Sequence, residues 1–269
     1  MLKFIKRLFI VLVVGYLAIC VALFFYQERL LFFPEVLDAN YKFEFANEFT
    51  EENIITKRGD TINGLLFKTD DSKGVILYLH GNAGSLKSVG NESENLLPLG
   101  YDVFMIDYAG YGKSSGEITS QERLFEDMQT VYDHVKRYYK EENIIIVGYS
   151  IGTGIAAKLA SDNNPSMLVL QAPYYSMVDM MERRYAIVPT FILDYTLDTH
   201  KYVKDSDVPM YLFHGNDDLV IPLESSQLLA KELDIPLYII KNQGHNGLTG
   251  NVEVIEKMKK LVARKKTYS

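Results

Sequence analysis

Six short, near-continuous apolar runs, separated by helical patterns and Gly-bearing turns, constrain the fold of this chain more than any other feature. They are Val75-Ile76-Leu77-Tyr78-Leu79, Val103-Phe104-Met105-Ile106, Ile144-Ile145-Ile146-Val147, Met167-Leu168-Val169-Leu170, Met210-Tyr211-Leu212-Phe213 and Leu237-Tyr238-Ile239-Ile240. Such runs fit strands covered on both faces, as in a parallel sheet. Between two of them, Thr119 and Glu122 have capping-box spacing, and Leu124, Met128, Val131 and Val135 form one apolar stripe. Strands alternating with helices predict right-handed βαβ units, hence an α/β fold with a doubly wound, mostly parallel sheet. A more polar pair, around Ile54-Ile55 and Thr61–Phe67 and split by Arg58-Gly59-Asp60, reads as an antiparallel hairpin at the start of the sheet.

The N-terminus follows a different rule. From Leu8 to Tyr26 run about nineteen consecutive uncharged, mostly apolar residues, enough to cross a hydrocarbon core as one helix. Lys3, Lys6 and Arg7 precede the run, whereas Glu28 and Arg29 nearly cancel after it. The positive-inside rule then puts the N-terminus in the cytoplasm and the remainder beyond the membrane. Phe24-Phe25-Tyr26-Gln27 is too bulky for signal-peptide cleavage, and Ile19 spoils the faint lipoprotein-like Leu17-Ala18-Ile19-Cys20. The expected organisation is therefore a membrane anchor over 1–27, an apolar connection over 28–50 and a catalytic domain over 51–269.

The net charge of -7 argues against a nucleic-acid partner. The basic run Arg264-Lys265-Lys266 reads as a solvated helix end. With Cys20 as the sole cysteine, neither an internal disulfide nor a cysteine metal site is possible. Gly112-Lys113-Ser114 ends like a phosphate loop, but Asp107 stands where that loop needs glycine, and no G-x-G-x-x-G follows a strand. No H-E-x-x-H occurs, so no cofactor or metal is expected. Asn91-Glu92-Ser93 is a glycosylation sequon with meaning only in a eukaryotic secretory setting.

In a doubly wound sheet the functional loops lie at the carboxyl ends of the strands. Those positions hold His80-Gly81-Asn82-Ala83-Gly84, Asp107-Tyr108-Ala109-Gly110-Tyr111-Gly112, Gly148-Tyr149-Ser150-Ile151-Gly152, His214-Gly215-Asn216-Asp217-Asp218 and Gly244-His245. The third fits the G-x-S-x-G nucleophile elbow, between a strand and a helical stretch from Ile151 to about Ser161. A sharp turn there exposes the Ser150 hydroxyl, and the flanking glycines avoid collisions that a Cβ would make. The plain alternative is a strand–turn–helix junction with glycines for packing.

Serine needs a base to take its proton. His134 falls on the amphipathic helix, His200 in a polar stretch with no strand before it, and His80 and His214 in His-Gly steps suited to structural hydrogen bonds. His245, after the last strand, is the candidate base. The acid belongs between serine and histidine in chain order. Asp217 and Asp218 both qualify, and local physics does not choose between them. The amide of Ile151 and one from the 80–84 loop are the expected oxyanion donors. Residues 174–208 separate two strands by more than an ordinary crossover and predict a small helical cap over the serine.

In these motifs the chain from about residue 50 resembles the α/β-hydrolase superfamily. It is similar in particular to membrane-anchored serine hydrolases related to the fungal bud-emergence protein, and to the serine-aminopeptidase-like domain. Those proteins carry a Phe-x-x-Pro-like segment, comparable to Leu31-Phe32-Phe33-Pro34, then H-G-N-A-G, D-Y-x-G-Y-G-x-S-x-G, G-x-S-x-G, H-G-x-x-D and G-H in this order. The resemblance implies an α/β-hydrolase fold with Ser150, Asp218 and His245 as triad, because the family acid lies four residues after the histidine of H-G-x-x-D. It also implies the amide of Asn82 as oxyanion donor beside that of Ile151. Ala109 departs from the arginine many members carry there.

Three functional readings follow. The first is hydrolysis of an acyl ester or thioester, with a small lipophilic or lipid substrate near the membrane. The second is an aminopeptidase or amidase, and the third a non-enzymatic binding protein on an eroded fold. The intact elbow and triad residues favour an enzyme, and the absence of room for a large cap favours the esterase.

Overall fold

A computed structural model of the protein describes residues 1–264. Of the basic C-terminal run, Lys265 and Lys266 lie outside the described residues. One eight-stranded sheet organises the chain. Its strands are β1 (Phe49–Ile55), β2 (Thr61–Phe67), β3 (Val75–Leu79), β4 (Asp102–Ile106), β5 (Ile144–Tyr149), β6 (Met167–Gln171), β7 (Met210–Gly215) and β8 (Leu237–Ile240). They lie in the order β8-β7-β6-β5-β3-β4-β2-β1. The expected hairpin is β1 and β2; β2 also runs antiparallel to β4, and every pairing from β4 to β8 is parallel.

Period-two geometry explains why the central strands are apolar throughout. In β3, Val75, Leu77 and Leu79 join one core with Ile155 and Leu124, whereas Ile76 and Tyr78 join the other with Val254 and Met258. All five β3 residues are buried, as are those of β4 and β6. One face is covered by α3 (Gln121–Val135) and α4 (Gly152–Asp162), and α8 (Val252–Arg264) packs on the other. The α3 stripe of Leu124, Met128, Val131 and Val135 is buried as its spacing predicts. Its cap differs: Ser120, not Thr119, adopts the extended N-cap conformation and accepts the Arg123 N–H at 3.1 Å.

The chain passes from β3 to β4 on one side, then crosses to β5 on the other. The carboxyl ends of β3 and β5 therefore lie side by side, with Leu79 opposite Gly148. This is the switch point where doubly wound sheets form their crevice.

At the N-terminus, α1 (Leu2–Phe25) is long and apolar enough to span a membrane, with almost none of its surface buried by the domain. A short α2 (Gln27–Leu31) follows. Residues 28–50, expected as a connection, instead dock on the domain. Phe33–Pro34 pairs in parallel with Ala83–Gly84, and Phe43, Phe45 and Phe49 stack together against Phe67. The aromatic residues of this stretch give it a core of its own to join.

The insertion between β6 and β7 holds α5 (Met177–Arg184) and α6 (Thr199–Lys204). α6 packs on α4, and α5 is capped by Ser176, whose hydroxyl accepts the Asp179 N–H. α7 (Leu223–Leu233) follows β7, and two short helical turns, Leu86–Val89 and Ser93–Leu96, follow β3.

Candidate active site

Ser150 follows directly on β5 and takes a left-handed φ of +54°, which an L-residue adopts only under constraint. The constraint is supplied from both sides. Its N–H donates to Gln171 O at 3.0 Å, and its own carbonyl accepts from the Thr153 N–H and hydroxyl. The two glycines are sterically required: a Cβ at Gly152 would sit 2.3 Å from Leu79 O, and one at Gly148 2.6 Å from Gly152 O. The strand, the helix and the end of β3 thus approach more closely than any side chain allows.

The Ser150 Oγ lies 3.0 Å from His245 Nε2. His245 Nδ1 lies 2.7 Å from Asp218 Oδ2. With Nδ1–H donated to the carboxylate, Nε2 carries the lone pair that faces the serine proton. Asp218 Oδ1 accepts the N–H groups of Val220 and Ile221 at 2.8 and 2.9 Å. Burial alone would raise the pKa of this carboxyl. Hydrogen bonds from His214, His245 and the Ile221 amide outweigh it and hold the group well below the usual carboxylate range. Asp217, which local sequence physics alone does not separate from Asp218, has an exposed side chain, and its N–H donates to Gln243 O at 3.0 Å. That bond and Asn216 N–H to Ile240 O tie the acid loop to the His245 loop.

The other histidines have structural surroundings. His134 pairs with Glu52 at 2.6 Å, and His200 stacks on Tyr175. His214 is buried, donates from Nε2 to Ile221 O at 3.0 Å and also lies 3.3 Å from Asp218 Oδ2. His80 is buried with Nδ1–H donating to Gly81 O at 2.7 Å. Burial lowers the His80 pKa to about 4 and pushes that of Asp107, 3.8 Å away, up to about 7.

A cavity of about 280 Å³ opens beside the serine. Asn82, Ala83, Val89, Glu92, Tyr149, His245 and Asn246 are among its lining, and no residue of the 174–208 insertion takes part. The insertion expected as a small cap packs along α1 and α2 and on the loop after Asp218, where Arg184 Nη2 donates to Leu219 O at 2.9 Å. Burial raises the pKa of Glu92, against a hydrogen bond from Asn95. Ile151 opens α4, where first-turn amides lack intrahelical acceptors.

Two positioning residues escaped the sequence reading. Tyr149, the variable residue of the elbow, donates its hydroxyl to His245 O at 2.8 Å. Tyr111 donates to Asn82 O at 2.8 Å. Tyr149 occupies the variable slot of G-x-S-x-G and Tyr111 a fixed tyrosine of D-Y-x-G-Y-G, and neither motif by itself names the partner of its hydroxyl.

Residues 70–192 match the family model described as serine aminopeptidase, S33. The match includes Ser150 and ends before Asp218 and His245. Among solved structures, an esterase of Pyrococcus furiosus superposes with a TM-score of 0.69 at 20% identity, covering 86% of this chain and 98% of that one. The chain has the α/β-hydrolase fold. It is 28% identical to human alpha/beta hydrolase domain-containing protein 17B over 218 residues, 78% of this chain and 73% of that one. A lysophosphatidylserine lipase of Macaca fascicularis is 30% identical over 179 residues, 59% of this chain and 45% of the lipase. The similarity to hydrolases displaces the reading of a non-enzymatic binding protein.

Proposed function

We propose that this α/β hydrolase is a membrane-anchored serine esterase or thioesterase acting on a lipophilic acyl substrate through Ser150, His245 and Asp218. The observation that carries the reading is the unbroken hydrogen-bonded chain from Ser150 Oγ through both ring nitrogens of His245 to the Asp218 carboxylate. His245 takes the hydroxyl proton as Ser150 Oγ attacks the acyl carbonyl, and Asp218 stabilises the imidazolium. The amides of Asn82 and Ile151 bind the oxyanion. Collapse expels the alcohol or thiol with the proton from His245, leaving an acyl-enzyme. Water, deprotonated by His245, then releases the acid and restores the serine.

The anchor is α1, with its basic end in the cytoplasm and the catalytic domain on the other side. Protease shaving of intact cells or spheroplasts tests this: degradation of the domain without membrane rupture is expected, and protection would invert the topology. Lipase and esterase relatives support the ester class.

A serine aminopeptidase or amidase is the second reading, favoured by Glu92, an acid in the cavity wall suited to a substrate ammonium group. Turnover of p-nitrophenyl esters of graded chain length beside thioester and aminoacyl substrates, in detergent, separates the two. Preference for aminoacyl amides would replace the esterase assignment.

A further inference from the structure

The membrane helix and the β6–β7 insertion are tied together along much of their length. Tyr16, eleven residues before Gln27 and therefore about 16 Å up the helix axis, donates its hydroxyl to Ile187 O at 2.7 Å. Gln27 donates to Ile192 O at 2.9 Å and accepts the Asp194 N–H at 2.8 Å. Tyr195 then donates to Glu28 at 3.1 Å. The strand of chain from Ile187 to Tyr195 thus runs alongside α1 from its middle to its end.

The composition of this strand is unlike that of a wetted loop. From Tyr185 to Leu193 the sequence is Tyr-Ala-Ile-Val-Pro-Thr-Phe-Ile-Leu, with no charge. Tyr185, Ile187 and Phe191 are 59%, 79% and 87% exposed. Arg183 and Arg184 stand immediately before it, placed as cations are at a headgroup boundary.

We propose that residues 185–193 are embedded in the lipid bilayer beside α1, so that the insertion is a second membrane contact whose partner is phospholipid acyl chains. The inference rests on the reading of α1 as a membrane span. A hydroxyl near the middle of such a span has no water to bond and needs an acceptor at its own depth. Tyr16 finds that acceptor in Ile187, so the loop carrying Ile187 lies at the same depth.

Irregular backbone at that depth must also have its polar groups met. Four of the eight N–H groups in 185–193 are met within the backbone: those of Tyr185, Val188, Ile192 and Leu193 donate to the Met181, Tyr185, Pro189 and Thr190 carbonyls. The carbonyls of Ile187 and Ile192 accept from Tyr16 of α1 and Gln27 of α2.

The contact reaches the proposed catalytic centre. Arg184, at the end of α5, donates to the carbonyls of Leu219 and Val220, directly after Asp218. Leu219 is 89% exposed, which extends the apolar surface to the acid loop. A bilayer-seated insertion would hold that loop at the lipid surface, where a long-chain acyl substrate resides.

The chain has no tryptophan, so a single substitution supplies one fluorophore. Full-length Phe191→Trp, Leu12→Trp in α1, and Tyr138→Trp among the charges of Arg137 and Lys140 would be reconstituted in phosphatidylcholine vesicles. Each is read with and without lipid brominated on its acyl chains, after fluorophosphonate labelling has shown a folded site. At least twofold quenching of Phe191→Trp and Leu12→Trp, with Tyr138→Trp unquenched, is the expected result. Quenching of Leu12→Trp without Phe191→Trp overturns the inference and leaves the anchor standing, even where blue-shifted emission reveals a protein partner on Phe191. Loss of both removes the anchor reading as well.

Discussion

The backbone N–H of Phe33 donates to the carbonyl of Asn82 at 2.8 Å. The segment that follows α1 and α2 is thereby stitched to the loop proposed to supply an oxyanion donor. Glu35 extends the seam: its N–H donates to Gly84 O, its carboxylate accepts from Ser85 and Lys87, and Gly112 N–H donates to its carbonyl. A parallel two-residue pairing is too small to stabilise a strand by itself. Its effect is to fix the orientation of the peptide that follows Asn82, and the 33–35 segment and the 82–84 loop become one structural unit.

Tyr111 shares that carbonyl. Removing its hydroxyl in Tyr111→Phe leaves the Phe33 bond in place and the ring packed, so the loop loses one of two restraints. A neutral hydrogen bond is worth about 1 kcal/mol, so kcat should fall about fivefold with KM nearly constant. A change confined to KM, or to thermal stability, would show that the carbonyl restraint does not act on the oxyanion site.

A fluorophosphonate probe should label the wild-type protein covalently, and Ser150→Ala should abolish labelling. Ser114 is the useful internal control. It is buried, donates to Asp107 O at 2.7 Å and accepts the Asn63 N–H at 2.8 Å, which leaves its hydroxyl engaged in structure. Residual labelling of the alanine variant, mapped by peptide mass, would displace Ser150 as nucleophile.

Much of this arrangement was legible in the sequence because each strand announces its own end. Continuous apolar runs located β3 to β8, and the unusual residues all fell just past them. The approach of Gly152 to the Leu79 carbonyl is a direct expression of the G-x-S-x-G spacing. What escaped depends on contacts distant in sequence. Phe33 and Asn82 differ by 49 in residue number, and Tyr16 and Ile187 by 171. Neither pairing has a local period. The course of 174–208 is hidden for the same reason: its length predicts an insertion, but its contacts are with Tyr16 and Gln27, 171 and 165 positions away from their partners.

Asp107 and His80 form a buried pair whose titrations oppose one another. The folded pKa of Asp107, about 7, lies above its ordinary 3.8, because burial disfavours the carboxylate. Its stabilisation is complete below pH 3.8 and is lost as pH rises through 7. His80 is the converse: lowered from 6.5 to about 4 by burial, it contributes above pH 6.5 and loses that contribution as pH falls through 4. Asp107→Asn removes only the first titration. Relative to wild type, the variant should therefore gain on the order of 5 °C in Tm between pH 5 and pH 8, whatever the fixed cost of the amide. A difference in Tm that stays flat across this range would mean that Asp107 does not titrate there.

The two adjacent acids give the sharpest test of the proposed site. Asp218 places one oxygen on His245 and the other on two backbone amides, so its carboxylate both orients the ring and is itself held. Asp218→Asn keeps the shape but offers an NH2 or a neutral oxygen to Nδ1, which favours the wrong tautomer and removes the charge that stabilises the imidazolium. Loss of the triad acid costs about four orders of magnitude in the protease template, and a fall in kcat on the order of a thousandfold or more is expected here. Asp217 has an exposed side chain, and its contribution to the loop is a backbone N–H that asparagine retains. Asp217→Asn should cost about tenfold at most, as an amide replaces a turn carboxylate well. Thermal melts of both variants establish that the loop is folded before the rates are compared. A crippled Asp217→Asn beside a nearly silent Asp218→Asn would remove Asp218 from the triad, despite its 2.7 Å contact with His245.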